Sequence, residues 1–188
     1  MTLLSELSIS NYLCSVAEKK PVPGGGAVAA IVGAEACALQ AKVAIFSSNS
    51  EITPIVESSI KTQKKLLELA EKDSKAFLAL MKAGRKSKNY EELLIEAARV
   101  PVEVLRISVV QVSSLKTLLK LGNLNLVSDI GISALLLISS IRSSLLNIKI
   151  NTKSIESIPE DILLAELLAE KALKELESLC LKVEDEIH

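Results

Sequence analysis

The chain contains few of the residues on which common catalytic devices depend. It has one histidine, His188 at its last position, no tryptophan, two phenylalanines and two tyrosines. A Ser-His-Asp or Cys-His nucleophile needs a histidine beside the attacking group, so these devices are excluded unless the terminus folds into a site. Because aromatic residues are scarce, the core must be built from Leu, Ile, Val and Ala, which suits packed helices.

The cysteines and the charges exclude further classes of protein. Cys14, Cys37 and Cys180 are odd in number and lack CxxC spacing, which favours a reducing compartment and predicts no metal or redox site. Lys plus Arg number 22 and Asp plus Glu 23, so there is no electrostatic footprint for nucleic acid or an anionic membrane. The N-terminus does not have the pattern of a signal peptide. We therefore expect a cytoplasmic protein without nucleic-acid, membrane or metal partners.

Helical periodicity dominates the chain, and no useful stretch alternates with period two. We predict a single domain over residues 1–188, an all-α bundle of about six helices. Apolar runs are interrupted by charges or are shorter than the roughly 20 residues of a membrane span, so they are interpreted as core helices. The residues after Ser144, NIKINTKSIESIPED, are predicted to form a loop. The main predicted helices cover Thr2–Glu18 with Thr2 as its cap, the buried stretch up to Phe46, Thr53 to about Gly84, Asn89–Leu121 with a bend near Pro101, and Glu160–Glu186.

The stretch Pro21–Phe46 opens with PVPGGG and continues as a mostly apolar helix. Pro23 and Gly24–Gly26 predict a tight loop that leads into this helix. Amide N–H groups at such a helix start can bind an anion or a carboxylate-bearing ligand. The alternative is that the three glycines only let two helices cross closely.

A second polar group enters the most apolar helix of the chain, in LGNLNLVSDIGISAL. Asn123, Asn125, Ser128 and Asp129 lie together where that helix begins. They could form a hydrogen-bonding site for a polar ligand at a water-poor helix junction. Alternatively, Ser128 and Asp129 simply cap the helix.

The segments PVPGGGAVAA and GNLNLVSDIGISAL together resemble the formiminotransferase-cyclodeaminase C-terminal family, whose members read PxPGGGSVAA and GNxNxxSDxxVAA at a similar separation. DSKAF at Asp73, ARVPVEV around Pro101 and NIKIN near Asn151 are similar to further motifs of the family. The resemblance implies an orthogonal helical bundle, usually a homodimer. It also implies a tetrahydrofolate derivative as substrate and no tightly bound cofactor.

The resemblance implies roles for individual residues. Asp129 is the first candidate for an acid/base or cation-stabilising carboxylate, and Asp73 is the second, with an exposed helix carboxylate as the alternative for Asp73. One carboxyl group can move the protons of cyclodeamination, which does not require histidine. The implied substrate-binding positions are Pro23, Gly24, Gly25, Gly26, Asn123, Asn125 and Ser128.

The implied activity is conversion of 5-formiminotetrahydrofolate to 5,10-methenyltetrahydrofolate with release of ammonia. The alternatives are hydrolysis of the methenyl form to 10-formyltetrahydrofolate, or an inactive binding or dimerisation module of the same fold. The chain departs from the family at Ala27, where serine is usual, and it lacks the basic stretch that often follows this helix. Lys42 replaces a usually apolar residue, and we expect its ammonium to reach solvent rather than replace the missing charge.

Overall fold

The computed structural model describes residues 3–187, and within them the chain is helical, without strands. The prediction of an all-α bundle with about six helices is confirmed. Short 3₁₀ turns lie at Leu4–Glu6 and at Leu124–Leu126. The helices are α1 (Ile9–Ala17), α2 (Gly25–Ile45), α3 (Thr53–Ala83), α4 (Tyr90–Leu121), α5 (Val127–Thr152) and α6 (Glu160–Ile187). The predicted cap Thr2 and the histidine His188 lie outside the described residues.

Two predicted boundaries are wrong. The first helix is not continuous over Thr2–Glu18, because the chain is extended at Leu7 and at Ser8, whose side chain caps α1 by accepting from Asn11 N–H at 3.2 Å. The predicted loop after Ser144 begins as helix, since α5 continues to Thr152. Burial of Ile148 and Thr152 against the core explains the extra turns, which a polar composition concealed.

Helix α2 lies at the centre of the bundle and packs on α3, α5 and α4. Its small residues allow close approach: a Cβ built on Gly33 would lie 2.8 Å from Ser140 Oγ and 3.3 Å from Leu66 Cδ1. Helix α5 runs antiparallel to α2, and two buried serines fix the register. Ser133 Oγ donates to Ala36 O at 2.9 Å, and Ser140 Oγ donates to Ala29 O at 2.8 Å.

The core is aliphatic, as the composition predicts, and it joins α2, α4, α5 and α6. By length and composition, the stretches Gly25–Ile45 and Leu124–Thr152 are apolar enough to cross a membrane. In this fold 56% of the most apolar 18 residues of the first stretch, and 44% of those of the second, are buried inside the bundle.

Candidate functional site

The glycine loop forms the start of α2 without left-handed backbone. Gly24 is the N-cap, with φ of −123°, and among the described glycines positive φ occurs at Gly84. Gly24 supplies no side-chain cap, so the first N–H groups of α2 have no capping partner from this residue. Pro23 precedes them through a cis peptide bond after Val22. The loop therefore presents main-chain donors at the positive end of a long helix.

Asp73 of α3 lies directly over this helix start. A Cβ built on Gly26 would be only 2.0 Å from Asp73 Oδ1 and 2.6 Å from Oδ2, so glycine is required by the close approach of the carboxyl group. The carboxylate accepts a hydrogen bond from Ala27 N–H. Burial raises the pKa of Asp73, and the Ala27 hydrogen bond opposes that rise. The alternative of an exposed helix carboxylate is wrong.

Asn147 of α5 completes this end of the bundle. A Cβ built on Gly25 would lie 3.8 Å from Asn147 Oδ1 and 3.9 Å from Nδ2, so the amide lies beside the glycine loop. Asn147 Nδ2 donates to Ser143 O at 2.9 Å, and Oδ1 is the acceptor atom of this amide beside the loop. Asn147 is not among the predicted site residues, because NIKIN is predicted to be a loop. Its likeness to a family motif was the available signal.

At the opposite end of α2, Asn123 holds the end of α4 against the end of α2. Its Nδ2 donates to Phe46 O at 3.1 Å, and its main-chain N–H donates to Ser47 Oγ at 3.0 Å. Asn123 Oδ1 accepts from Asn125 N–H at 3.0 Å and thereby caps the 3₁₀ turn. These contacts give Asn123 a structural role, and its predicted contact with substrate stays a prediction.

Asp129 forms an ion pair with Lys42 across α5 and α2, with Lys42 Nζ 2.7 Å from Asp129 Oδ2. The contact is ionic rather than a well-directed hydrogen bond, since Oδ2 has no partner of hydrogen-bond geometry. The Lys42 side chain is 49% exposed and that of Asp129 16%, so the pair lies at the surface end of the helix junction. Lys42 reaches solvent, as expected, and its ammonium also pairs with Asp129, a partner that the sequence did not predict.

The polar neighbours of Asp129 do not cap its helix. Leu126 is the N-cap of α5 and makes no side-chain cap bond, so the capping alternative for Ser128 and Asp129 is wrong. Ser128 and Asn125 are exposed. They are accessible to a ligand, but nothing within residues 3–187 gathers them into an enclosed site.

The two groups of predicted residues are separated within one chain. Gly26 contacts Asp73 and Lys42 contacts Asp129, and these two points on α2 are about 24 Å apart at 1.5 Å per residue. Pro23, the glycines and Asp73 therefore form one group, which we call the glycine-loop site. Asn123 and Asp129 belong to the other, which we call the asparagine site. One small reacting centre cannot contact both groups of a single chain.

Cavities lie at the asparagine site and between α4 and α6. One of about 310 Å³ at the asparagine site is lined by Phe46, Ser47, Ser48, Asn49, Leu121, Gly122 and Asn123. A larger one, of about 750 Å³ between α4 and α6, contains no predicted site residue, and its lysines face acidic residues such as Glu175, 2.7 Å from Lys116. Within residues 3–187 no three His, Cys, Asp or Glu side chains are grouped to hold a metal ion.

Comparison with known proteins agrees with this architecture. Residues 8–171 match the formiminotransferase-cyclodeaminase family. The chain belongs to this family. A formiminotetrahydrofolate cyclodeaminase from Thermotoga maritima superimposes with a TM-score of 0.87 at 33% identity, covering 96% of this chain and 98% of that one. A methenyltetrahydrofolate cyclohydrolase from Methylorubrum extorquens is 29% identical over 192 residues, which cover 92% of this chain and 88% of the relative.

Within the formiminotransferase-cyclodeaminase family, Ala27 is a departure from the usual serine. The hydroxyl is absent, but the main-chain N–H of Ala27 still donates to Asp73. The Asp73 carboxyl group of the glycine-loop site therefore keeps its main-chain hydrogen bond although the serine hydroxyl is absent. No comparable replacement for the missing basic stretch lies directly after α2, where Ser47–Ser50 are uncharged.

Proposed function

We propose that this protein is an enzyme of tetrahydrofolate one-carbon metabolism. Its reaction is conversion of 5-formiminotetrahydrofolate to 5,10-methenyltetrahydrofolate plus ammonia. Family membership and the similarity to the cyclodeaminase of Thermotoga maritima support the substrate class. The observation that carries the proposal is the Asp73 carboxyl group, which burial and Gly26 hold at the start of α2 with a raised pKa. A plain bundle has no use for a desolvated carboxyl at a helix start.

The chemistry needs one group that moves protons. N10 of the folate attacks the formimino carbon, which is already tethered at N5, so proximity supplies much of the rate. Asp73 as carboxylate takes the proton from N10, and as carboxylic acid it gives that proton to the formimino nitrogen, which is already protonated in the substrate (=NH2⁺) and therefore leaves as ammonia. A raised pKa brings the acid form closer to neutral pH, where such a group is most effective. The amides of the glycine loop and Asn147 orient the ring system.

We also propose that Asp129 takes part through a second subunit. Helices α2 and α5 expose apolar residues on one side of the bundle, among them Ile132, Leu135, Leu146 and Ile150 of α5. A second subunit related by a two-fold axis across the middle of α2 would cover this face. The glycine-loop site of one subunit would then lie beside the asparagine site of its partner. Asp129 would then stabilise the methenyl cation that forms near Asp73.

Sedimentation equilibrium tests the dimer. Leu135→Glu places a charge in the proposed interface, whereas Leu167→Glu changes an equally exposed leucine of α6, since the two are 58% and 65% exposed. We expect a wild-type dimer, a monomeric Leu135 variant and a dimeric Leu167 variant. A monomeric wild-type protein at micromolar concentration would contradict the proposal.

The activity is tested by following methenyltetrahydrofolate absorbance and ammonia release together. We expect wild-type protein to produce both from 5-formiminotetrahydrofolate, with stoichiometric yields. Asp73→Asn should lower kcat by about 10²–10⁴-fold, the usual contribution of a general acid/base. Wild-type protein that binds the substrate and releases no ammonia would contradict the cyclodeaminase proposal.

A cyclohydrolase is the second candidate, and the relative in Methylorubrum extorquens favours it. Water would attack the same carbon, and Asp73 would serve as the base. The same absorbance then decays when 5,10-methenyltetrahydrofolate is supplied alone, faster than in a protein-free control. Absence of both reactions would favour the inactive binding module. In either enzyme the folate is a substrate, and we propose a cytoplasmic location with no tightly bound cofactor.

A further inference from the structure

A pocket lies beyond the glycine loop, where the last turns of α3 extend past the start of α2. It has a volume of about 310 Å³ and is lined by Phe77, Leu80, Met81, Gly84, Arg85 and Tyr90. We call it the tail pocket. Phe77 is one helical turn after Asp73, about 6 Å along α3, and Met81 is about 12 Å along it. The tail pocket therefore continues from the glycine-loop site in one direction.

Some residues of the tail pocket are packed into the core, and others expose apolar surface to a ligand. Leu80 packs with Leu94 and Ile155 in a small core cluster, and Tyr90 packs against that cluster. Phe77 is 41% and Met81 55% exposed, so an aromatic ring and a thioether remain open beside a polar site. Such side chains bind flat aromatic rings well.

The far end of the tail pocket is cationic. Gly84, with φ of 72°, ends α3 and turns the chain so that Arg85 lines the same pocket as Phe77. Lys86 and Lys88 follow in the exposed turn but do not line the pocket. None of the ion pairs among residues 3–187 involves these three residues. A guanidinium group at this position can bind a carboxylate through two parallel hydrogen bonds.

We propose that the tail pocket binds the p-aminobenzoyl-glutamate tail of a reduced folate. The ring lies against Phe77 and Met81, and a glutamate carboxylate lies on Arg85. Along α3 the Asp73 carboxyl comes first, the apolar side chains of Phe77 and Met81 follow, and the Arg85 cation comes last. A folate has the same order of matching groups: the one-carbon centre, the benzoyl ring and the glutamate. This inference rests on the proposed function. It also explains how the chain binds an acidic tail although the basic stretch after α2 is absent.

Calorimetry with two ligands tests the assignment. The ligands are 5-formyltetrahydrofolate and 5-formyltetrahydropteroate, which lacks the glutamate. Arg85→Gln should weaken binding of the first by about tenfold or more, the usual effect of losing a charged hydrogen bond, and leave binding of the second unchanged. The matched control is Lys86→Gln, which removes the same charge from a neighbouring residue outside the pocket lining. It should change neither affinity more than about twofold.

The outcomes separate this inference from the proposed function. If Arg85→Gln weakens both ligands equally or neither, while wild-type protein binds the folate, the tail pocket is wrong and the folate proposal stands. If Lys86→Gln and Arg85→Gln act alike, the effect is long-range charge and the assignment to Arg85 is wrong. If wild-type protein binds neither ligand, the proposed function fails together with the inference.

Discussion

Substitution of Gly26 by alanine is the sharpest perturbation that the glycine-loop site offers. The new Cβ would lie 2.0 Å from Asp73 Oδ1 and 2.4 Å from Asp73 Cγ, distances that no pair of non-bonded atoms tolerates. The carboxyl group must therefore move and give up its hydrogen bond from Ala27. Displacement of a catalytic group by about 1 Å can cost 10²-fold in rate, so we expect kcat to fall by at least that factor.

The effect of Gly26→Ala on stability is best measured both in wild-type protein and in an Asp73→Ala background, because the difference gives the coupling between the two residues. Loss of a hydrogen bond to a charged group costs about 1.5–3 kcal/mol, whereas alanine in a helix gains about 0.5–1 kcal/mol over glycine. Urea unfolding should thus show that Gly26→Ala lowers the free energy of unfolding by about 1–2 kcal/mol. In an Asp73→Ala background the clash is gone, and the same substitution should become neutral or stabilising.

Gly25→Ala is the matched control for stability. Its Cβ would lie 3.8 Å from the nearest atom of Asn147, which is ordinary contact distance, so only the helical gain remains. We expect this variant to be as stable as wild type or more stable. Equal unfolding free energies for the Gly25 and Gly26 variants, or a Gly26 variant with full activity, would refute the placement of Asp73 over Gly26.

Three further predictions concern stability and reactivity. Asn123→Ala should lower the free energy of unfolding by about 1–2 kcal/mol, since two side-chain hydrogen bonds are lost, whereas Asn125→Ala, at an exposed position, should change it by less than about 0.5 kcal/mol in the same urea titration. Because burial raises the pKa of Asp73 above its ordinary 3.8, this carboxyl favours the native state below that value, and its contribution is lost as pH rises through the native pKa. The stability of Asp73→Asn relative to wild type should therefore increase with pH, and a pH-independent difference would contradict the raised pKa. Burial raises the pKa of Cys37 to about 12, so a thiol reagent should label exposed Cys14 in the native protein and Cys37 only after unfolding; rapid native labelling of Cys37 would show that its surroundings open.

The sequence predicted the helical bundle and the centre of the fold well. Helix α2 is apolar on nearly all sides and follows a stretch of proline and glycine, and such a pattern allows few structures other than a buried helix with an irregular start. Boundaries were harder to predict. The last turns of α5 contain asparagine and lysine, and only their packing in the fold, with Ile148 and Thr152 buried, shows that they are helical.

The sequence identified residues of the candidate site but did not predict how they are arranged in space. Sequence patterns identified Asp73 and Asp129 without showing that α2 separates them by about 24 Å, which follows from the antiparallel packing of α2 against both α3 and α5. The charge on Lys42 gave no sign of its partner, because Asp129 is distant in sequence. The position of each carboxyl depends on the tertiary packing: Asp73 lies over the start of α2, whereas Asp129 is paired with Lys42, so our proposal assigns the acid/base role to Asp73 rather than to Asp129, the first candidate from the sequence.

Mixed dimers test the central claim most directly, namely that two distant groups of one chain act together on a folate across two subunits. Asp73→Asn and Asp129→Asn subunits would be co-expressed, and cyclodeaminase activity would be measured for each parent and for the mixture. Each parent dimer should be nearly inactive. Half of the mixed population is heterodimer with one intact site of two, so the mixture should recover about a quarter of wild-type activity. A mixture as inactive as its parents, or an Asp73 variant with full activity, would contradict the account.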